Sequence, residues 1–258
     1  MFFNNVHILV YLGIGIIGLI VGKFCAWCNV RLPENKKIFS KEFFEINKKG
    51  LEKNYIFMIL TAITYIGILY RFGIKEEIYQ NLDLVKFLIL APMLILSFFI
   101  DLKHRILPNR VNLTMFEVGL VITFLYGITN LNLAKDMIFG MFVGGLIFCG
   151  ITLLGGLFAG KEAMGLGDVK FMGALGLYMG VIKIVEVSIA AFFIAAAASI
   201  FILIYRHYIS KSDDEYIPFG PFLVIGAFIC IFAPSKAVIT IFLGICGWIS
   251  QKILGIFN

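Results

Sequence analysis

The chain has 258 residues, 60% of them hydrophobic and only 15% charged, with a mean hydropathy of +0.97. A soluble domain would be about 45–50% apolar and about 25% charged, so an ordinary globular fold is excluded. The net charge of +6 is not carried by a basic module interleaved with aromatics; nucleic acid is therefore not an expected partner, and the surplus suits an anionic bilayer surface instead.

Crossing a hydrocarbon core takes about 20 mostly apolar residues, and lipid offers the backbone no hydrogen-bond partner, so helices are expected. Nine stretches qualify, near residues 6–28, 55–72, 84–100, 111–128, 135–158, 169–182, 184–205, 217–233 and 237–256. The fold expected is an all-α, polytopic transmembrane helix bundle of eight spans, with a ninth left open at the C-terminus. A single membrane-embedded domain covers residues 1–258. Residues 1–5 carry no positive charge and no small-x-small cleavage site follows, while Lys23 and Arg31 lie on the far side. The first stretch therefore reads as a retained span with its N-terminus outside. Residues 31–54, RLPENKKIFSKEFFEINKKGLEKN, mix Lys and Glu with Phe39, Phe43, Phe44 and Ile46, the pattern of a helix lying on the interface. Fourteen of the 22 Lys and Arg residues fall in residues 31–54, 101–110, 159–170 and 205–216, so the positive-inside bias makes these connections cytoplasmic.

Within the fourth span Glu117 is out of place, and a position in the bundle interior or a tilt toward the interface is expected for it. The five cysteines, Cys25, Cys28, Cys149, Cys230 and Cys246, lie in or beside apolar runs and read as buried small hydrophobes. Cys25 and Cys28 have the spacing of half a zinc site, but no second pair exists. Beyond the seventh stretch, RHYISKSDDEY (206–216) leads into IPFGP, where Pro218 and Pro221 bracket Gly220; an ordered turn and the first turn of a helix are expected there.

Two aspartates end spans on one face. Asp101 closes the third in SFFIDLKHRILPNRVNL, and Asp168 opens the sixth in AMGLGDVKFMGALGLYMG. Both fall at cytoplasmic ends, so they can meet although 67 positions separate them. Singly, Asp168 would cap a helix, and Asp101 would be a solvated charge among Lys103, His104, Arg105 and Arg110. Together they suggest more. Gly165 and Gly167 lack a Cβ, which admits positive φ or the close passage of another chain. Two neighbouring carboxylates do not both ionise readily, so one becomes a base for water while the other polarises a scissile carbonyl. The rival is an ion-coupled transporter that binds a cation or proton at the same pair, although such sites favour the midplane and repeat symmetry, and neither is visible.

GLGDVKFMGALGLYMG resembles the second-aspartate motif of the prepilin peptidases, or type IV leader peptidases, of the GxGD membrane aspartic protease family; Gly165, Gly167 and Asp168 fall on its fixed positions and Lys170 on its basic one. IDLKHRILPNRV is similar to the first-aspartate motif, with Asp101, Pro108 and Asn109 in place. GLIVGKFCAWCNVRLP is similar to the N-terminal signature through Gly18, Gly22, Phe24, Asn29, Arg31, Leu32 and Pro33, and IPFGPFLVIGAF to the C-terminal one. The resemblance implies Asp101 and Asp168 as the catalytic pair of a multi-pass enzyme of the cytoplasmic membrane. Its active site would face the cytoplasm and cut prepilin or pseudopilin precursors after the glycine that ends a basic leader. The acidic residues Asp213, Asp214 and Glu215 would then steer that leader. Proteolysis of this kind needs no cofactor. Many members also methylate the new N-terminus with S-adenosylmethionine, an activity left open here because no Gly-rich loop on a βαβ unit is present. Members often bind zinc through two CxxC pairs in the first loop, but residues 31–54 form a short basic loop without cysteine, so zinc is not expected. A noncatalytic pilus assembly factor would have no need of both aspartates.

Overall fold

A computed structural model describes residues 2–3, 6–33, 55–159, 164–205 and 218–254. The interface helix expected after residue 33 and the acidic group Asp213, Asp214 and Glu215 lie outside the described residues. Two short strands, β1 (Phe2–Phe3) and β2 (Val6–His7), pair antiparallel with Phe2 opposite His7. Helix α1 (Ile8–Arg31) starts where His7 Nδ1 accepts the Leu9 N–H at 3.3 Å, satisfying one of the amides a helix start leaves without a partner. There follow α2 (Tyr55–Phe72), a 3-10 turn (Ile78–Asn81), α3 (Leu82–His104), α4 (Asn109–Thr129), α5 (Leu131–Ala159), α6 (Leu166–Tyr205), α7 (Gly220–Phe232) and α8 (Ala237–Leu254).

The all-α, polytopic architecture is as expected. Among the described residues, six helices can cross a bilayer by length and hydropathy, and α7 with α8 makes a seventh if that bent pair counts as one. The eight or nine crossings expected from the apolar stretches are not reached by this count, and the difference lies largely in α6. Gly180 has φ 73° and ψ 177° in its middle, a conformation that glycine alone adopts without strain. The chain reverses there. A Cβ on Gly144 of α5 would meet both Met172 O, at 2.5 Å, and Ile184 Cγ1, at 2.9 Å, residues that a straight helix would hold roughly 18 Å apart. Residues 166–179 and 181–205 are thus two antiparallel arms, corresponding to the sixth and seventh stretches. Asp136 Oδ1 accepts the Val181 N–H at 3.3 Å and caps the second arm.

Helix contacts run along small residues. On α1, Gly18 and Gly22 lie against α2 so closely that a Cβ would come within 2.7 Å of Ala62 Cα and 2.6 Å of Met58 Cα. On α5, Gly140 abuts Gly176, and on α7 a Cβ at Gly226 would lie 2.9 Å from Val187 O. Lipid supplies no hydrophobic drive between helices, so close backbone approach through dispersion is what holds such a bundle. The core is filled by Ile68, Leu69, Leu90, Leu94, Met115, Phe171 and Leu175, while Leu9, Phe124, Leu146 and Leu157 point outward, as lipid-facing residues do.

Away from the aspartates, several charges are paired or bonded. Asp83 accepts from Lys86 Nζ at 2.7 Å and from the Tyr126 hydroxyl at 2.7 Å, Lys183 Nζ donates to Cys230 O at 2.9 Å, and buried Glu186 accepts the Val238 N–H at 3.0 Å. The last contact fixes the start of α8, which turns 107° from α7 and so runs across the end of α7 instead of continuing it.

Two expectations are narrowed. Of the two placements expected for Glu117, the interior one is excluded, because the residue is exposed: α4 buries Val111, Met115, Ile122 and Tyr126, and Glu117 lies two positions, roughly 200° around the helix, from Met115. Cys246 is exposed and Cys149 half-buried, whereas Cys25, Cys28 and Cys230 are buried as expected; α8 has too few neighbours to cover its outer face.

Candidate active site

Asp101 lies in the last turn of α3. The helix stops because Arg105 takes the left-handed conformation at φ 56°, its N–H returning to Asp101 O at 2.8 Å, and Pro108 then begins α4 from an extended conformation that suits a fixed proline φ. The Asp101 side chain is 5% exposed and points at the start of α7, where its Oδ2 accepts the Gly220 N–H at 2.9 Å. That amide is one of the four a helix N-terminus cannot satisfy internally, and the positive end of the helix dipole favours a carboxylate there. Gly220 is required at this point: a Cβ would lie 2.5 Å from Asp101 Oδ2.

Asp168 sits in the first turn of α6, with its own N–H bonded to Gly165 O at 3.0 Å. Its half-buried carboxylate is close enough to Asp101 for the two to interact electrostatically. The connections carrying them are tied together. Asn112 Nδ2 of α4 donates to Gly167 O at 3.1 Å, and Lys170 Nζ donates to Asn109 Oδ1 at 3.0 Å. A Cβ at Gly167 would stand 3.3 Å from Leu107 Cβ, so the absence of a side chain lets the loop after α3 pack on the loop before α6. Neither Gly165 nor Gly167 has a positive φ; close approach, at Gly167, is the alternative realised. Gly165 is exposed, and among the described residues a Cβ there would meet Asp168 Oδ2 at 3.7 Å and Gly167 N at 3.9 Å.

The structure therefore brings Asp101, Asp168, Gly165, Gly167 and Lys170 to one end of the bundle. Two further residues belong with them. Gly220 reads in sequence as a turn between prolines within the C-terminal signature, but nothing local ties it to an aspartate 119 positions earlier. Asn112, three positions after Asn109, carries no sequence signal of its own and emerges only from its bond to Gly167. Its Oδ1 is buried and has no hydrogen-bond partner among the described residues. Among the described residues no group of three or more His, Cys, Asp and Glu is arranged to hold a metal.

The pair sits inside a segment with known relatives. The type IV leader peptidase family matches residues 88–205. A prepilin leader peptidase/N-methyltransferase of Aeromonas hydrophila is 33% identical over 145 residues, 56% of this chain and 48% of that protein. One of Xanthomonas campestris pv. campestris is 30% identical over 178 residues, 67% of this chain and 56% of that protein. Another, of Dichelobacter nodosus, is 26% identical over 218 residues, 82% of this chain and 71% of that protein. The chain spans about half the length of the first of these relatives. No solved structure matches.

Proposed function

We propose, from the match of residues 88–205 to the type IV leader peptidase family, that the protein is a membrane aspartic endopeptidase that removes the basic leader of prepilin-like or pseudopilin precursors after a glycine at the cytoplasmic face. What supports this is the convergence of two aspartates from helices far apart in sequence on one end of the bundle, with Asp101 aimed by the Gly220 amide and Asp168 within its electrostatic reach. The ionised member takes a proton from water; the member that keeps its proton donates a hydrogen bond to the scissile carbonyl. Water attacks the carbonyl carbon, the tetrahedral species collapses, and the leaving amine receives the proton taken from water. A transporter would gain nothing from a pair at the helix ends, where the field of the membrane is spent, and its site would be expected near the midplane.

Eight crossings fit this reading, with the reversal at Gly180 supplying two and α8 lying along the interface. The first cytoplasmic loop lacks the cysteines that zinc would need, so no step passes through a metal. S-adenosylmethionine has no βαβ unit to hold it among the described residues, and cleavage requires no cofactor. If methyl transfer accompanies cleavage, the mature N-terminus gains the mass of one methyl group only when this protein is present.

The test is cleavage of a prepilin by purified protein in lipid. Asp101→Asn and Asp168→Asn are each expected to lower the rate by at least about 10³-fold, the scale on which loss of an acid or base and its electrostatic partner acts. Either variant retaining wild-type cleavage removes that residue from the mechanism.

A further inference from the structure

Helix α7 is held at both ends. Its first amide donates to Asp101, and two of its last carbonyls accept from cations on other helices. Lys183 Nζ, on the second arm of α6, donates to Cys230 O at 2.9 Å, and Arg71 Nε, at the end of α2, donates to Phe232 O at 3.1 Å. The sequence explains why outside donors are needed. Cys230 O would ordinarily accept from the residue four positions on, but that is Pro234, which has no N–H to give. Ala233 then leaves the helix in an extended conformation, so Phe232 O lacks an intrahelical donor as well. Cys230 is 1% exposed, and a buried carbonyl must find its partner within the protein.

The charges have the signs that the helix dipole favours, with the Asp101 carboxylate at its positive end and Lys183 and Arg71 at its negative end. Between those ends α7 is fixed sideways by close packing. A Cβ at Gly226 would lie 2.9 Å from Val187 O, and one at Gly67 would lie 3.3 Å from the Phe232 ring. Such contacts set how near α7 lies to its neighbours, whereas the directional bonds at its ends set where it stands along its axis. That axial position decides whether the Gly220 N–H reaches Asp101.

Building on the peptidase reading, we propose that Lys183 and Arg71 are positioning residues for the active site: by clamping the far end of α7 they keep the Gly220 amide in register with the Asp101 carboxylate. Ten residues, about 15 Å of helix, separate Cys230 from Gly220. The two cations therefore act on Asp101 only through α7. Lys183 is half-buried and Arg71 exposed, so Lys183 carries more of the clamp.

The experiment uses the full chain in lipid nanodiscs and a synthetic substrate, a basic leader ending in glycine followed by about twenty apolar residues, enough to span a bilayer. Lys183→Met removes the donor and keeps the length of the side chain. It is expected to lower kcat by about tenfold or more, toward the loss that a misplacement of about 1 Å causes, with little change in KM; Lys183→Arg should restore most of the rate. Arg71→Met, at an exposed site, is expected to lower kcat by about threefold, the scale of an exposed contact. The decisive arm repeats both changes in Gly220→Ala, whose added methyl group, 2.5 Å from Asp101 Oδ2, already displaces the carboxylate. There neither change should lower kcat further, because two substitutions that break one linkage do not add. Lys86→Met controls for a lost cation: Lys86 is buried within electrostatic reach of Lys183 but is bonded to Asp83, so its loss should lower the melting temperature and leave kcat unchanged. Wild-type kcat in both single variants, losses that multiply with that of Gly220→Ala, or an equal fall in Lys86→Met overturns the positioning role and leaves the peptidase reading standing. Should Lys183→Met fail to fold, the same cycle with Arg71→Met decides. Failure of the wild-type protein to cut at all overturns both.

Discussion

The 2.9 Å bond from the Gly220 N–H to Asp101 Oδ2 joins the second and last signatures of the chain through a single amide. Asp101 would otherwise turn freely at a helix end; a backbone donor fixes it without contributing a competing charge. Gly220→Ala keeps that donor but places a methyl group 2.5 Å from the carboxylate oxygen, so the aspartate must rotate away. Cleavage is expected to fall at least about 10²-fold, in line with the loss that a misplacement of about 1 Å causes, while the detergent melting temperature changes little. Wild-type cleavage by Gly220→Ala would show that the bond does not aim Asp101. Lys170 is different: it is exposed and bonded to Asn109, and an exposed contact of this kind contributes little to stability.

At the scale of elements, helix pairs are set by where side chains are missing. The α1 and α2 interface rests on Gly18 and Gly22, and a leucine at Gly22 would drive into Met58 Cα and Phe57 O. Gly22→Leu is expected to cost about 3 kcal/mol or more, the upper end for overpacking, read as a lower melting temperature in detergent. Gly13→Leu, on the same helix with nothing within 4 Å, is expected to be neutral or slightly stabilising because leucine is the better helix former. Similar losses from both substitutions would mean that glycine content, and not close contact, matters to α1. Hydropathy locates these helices but says nothing about their rotation. Glu117 shows the limit: its span is legible, and its outward direction is decided by which residues of α4 meet α6.

For the whole molecule, the reversal at Gly180 decides on which side everything after it lies. It returns the second arm of α6 toward the end that holds Asp168 and so allows α7 to begin against Asp101. Single cysteines at Leu166 and Ile204, both exposed, in a cysteine-free background are expected to react with an impermeant maleimide from the same side of sealed vesicles. Labelling from opposite sides would contradict the hairpin. Gly180→Ala should impair this arrangement, since a residue forced to φ 73° costs about 1–3 kcal/mol and its Cβ would collide with Asp136.

What the amino-acid order determined alone is the one-dimensional part: nine apolar stretches, their ends, the side on which basic residues collect, and the two aspartate motifs placed at ends on that side. Those properties are sums over neighbouring residues, and lipid leaves the backbone few alternatives to a helix. The tertiary structure alone decided that Gly220 closes on Asp101, that Asn112 holds Gly167 from 55 positions away, and that Gly180 folds one long helix into two. Each depends on how helices are turned and how nearly their backbones approach. That is settled by packing among residues dozens of positions apart, for which no local pattern in the sequence exists.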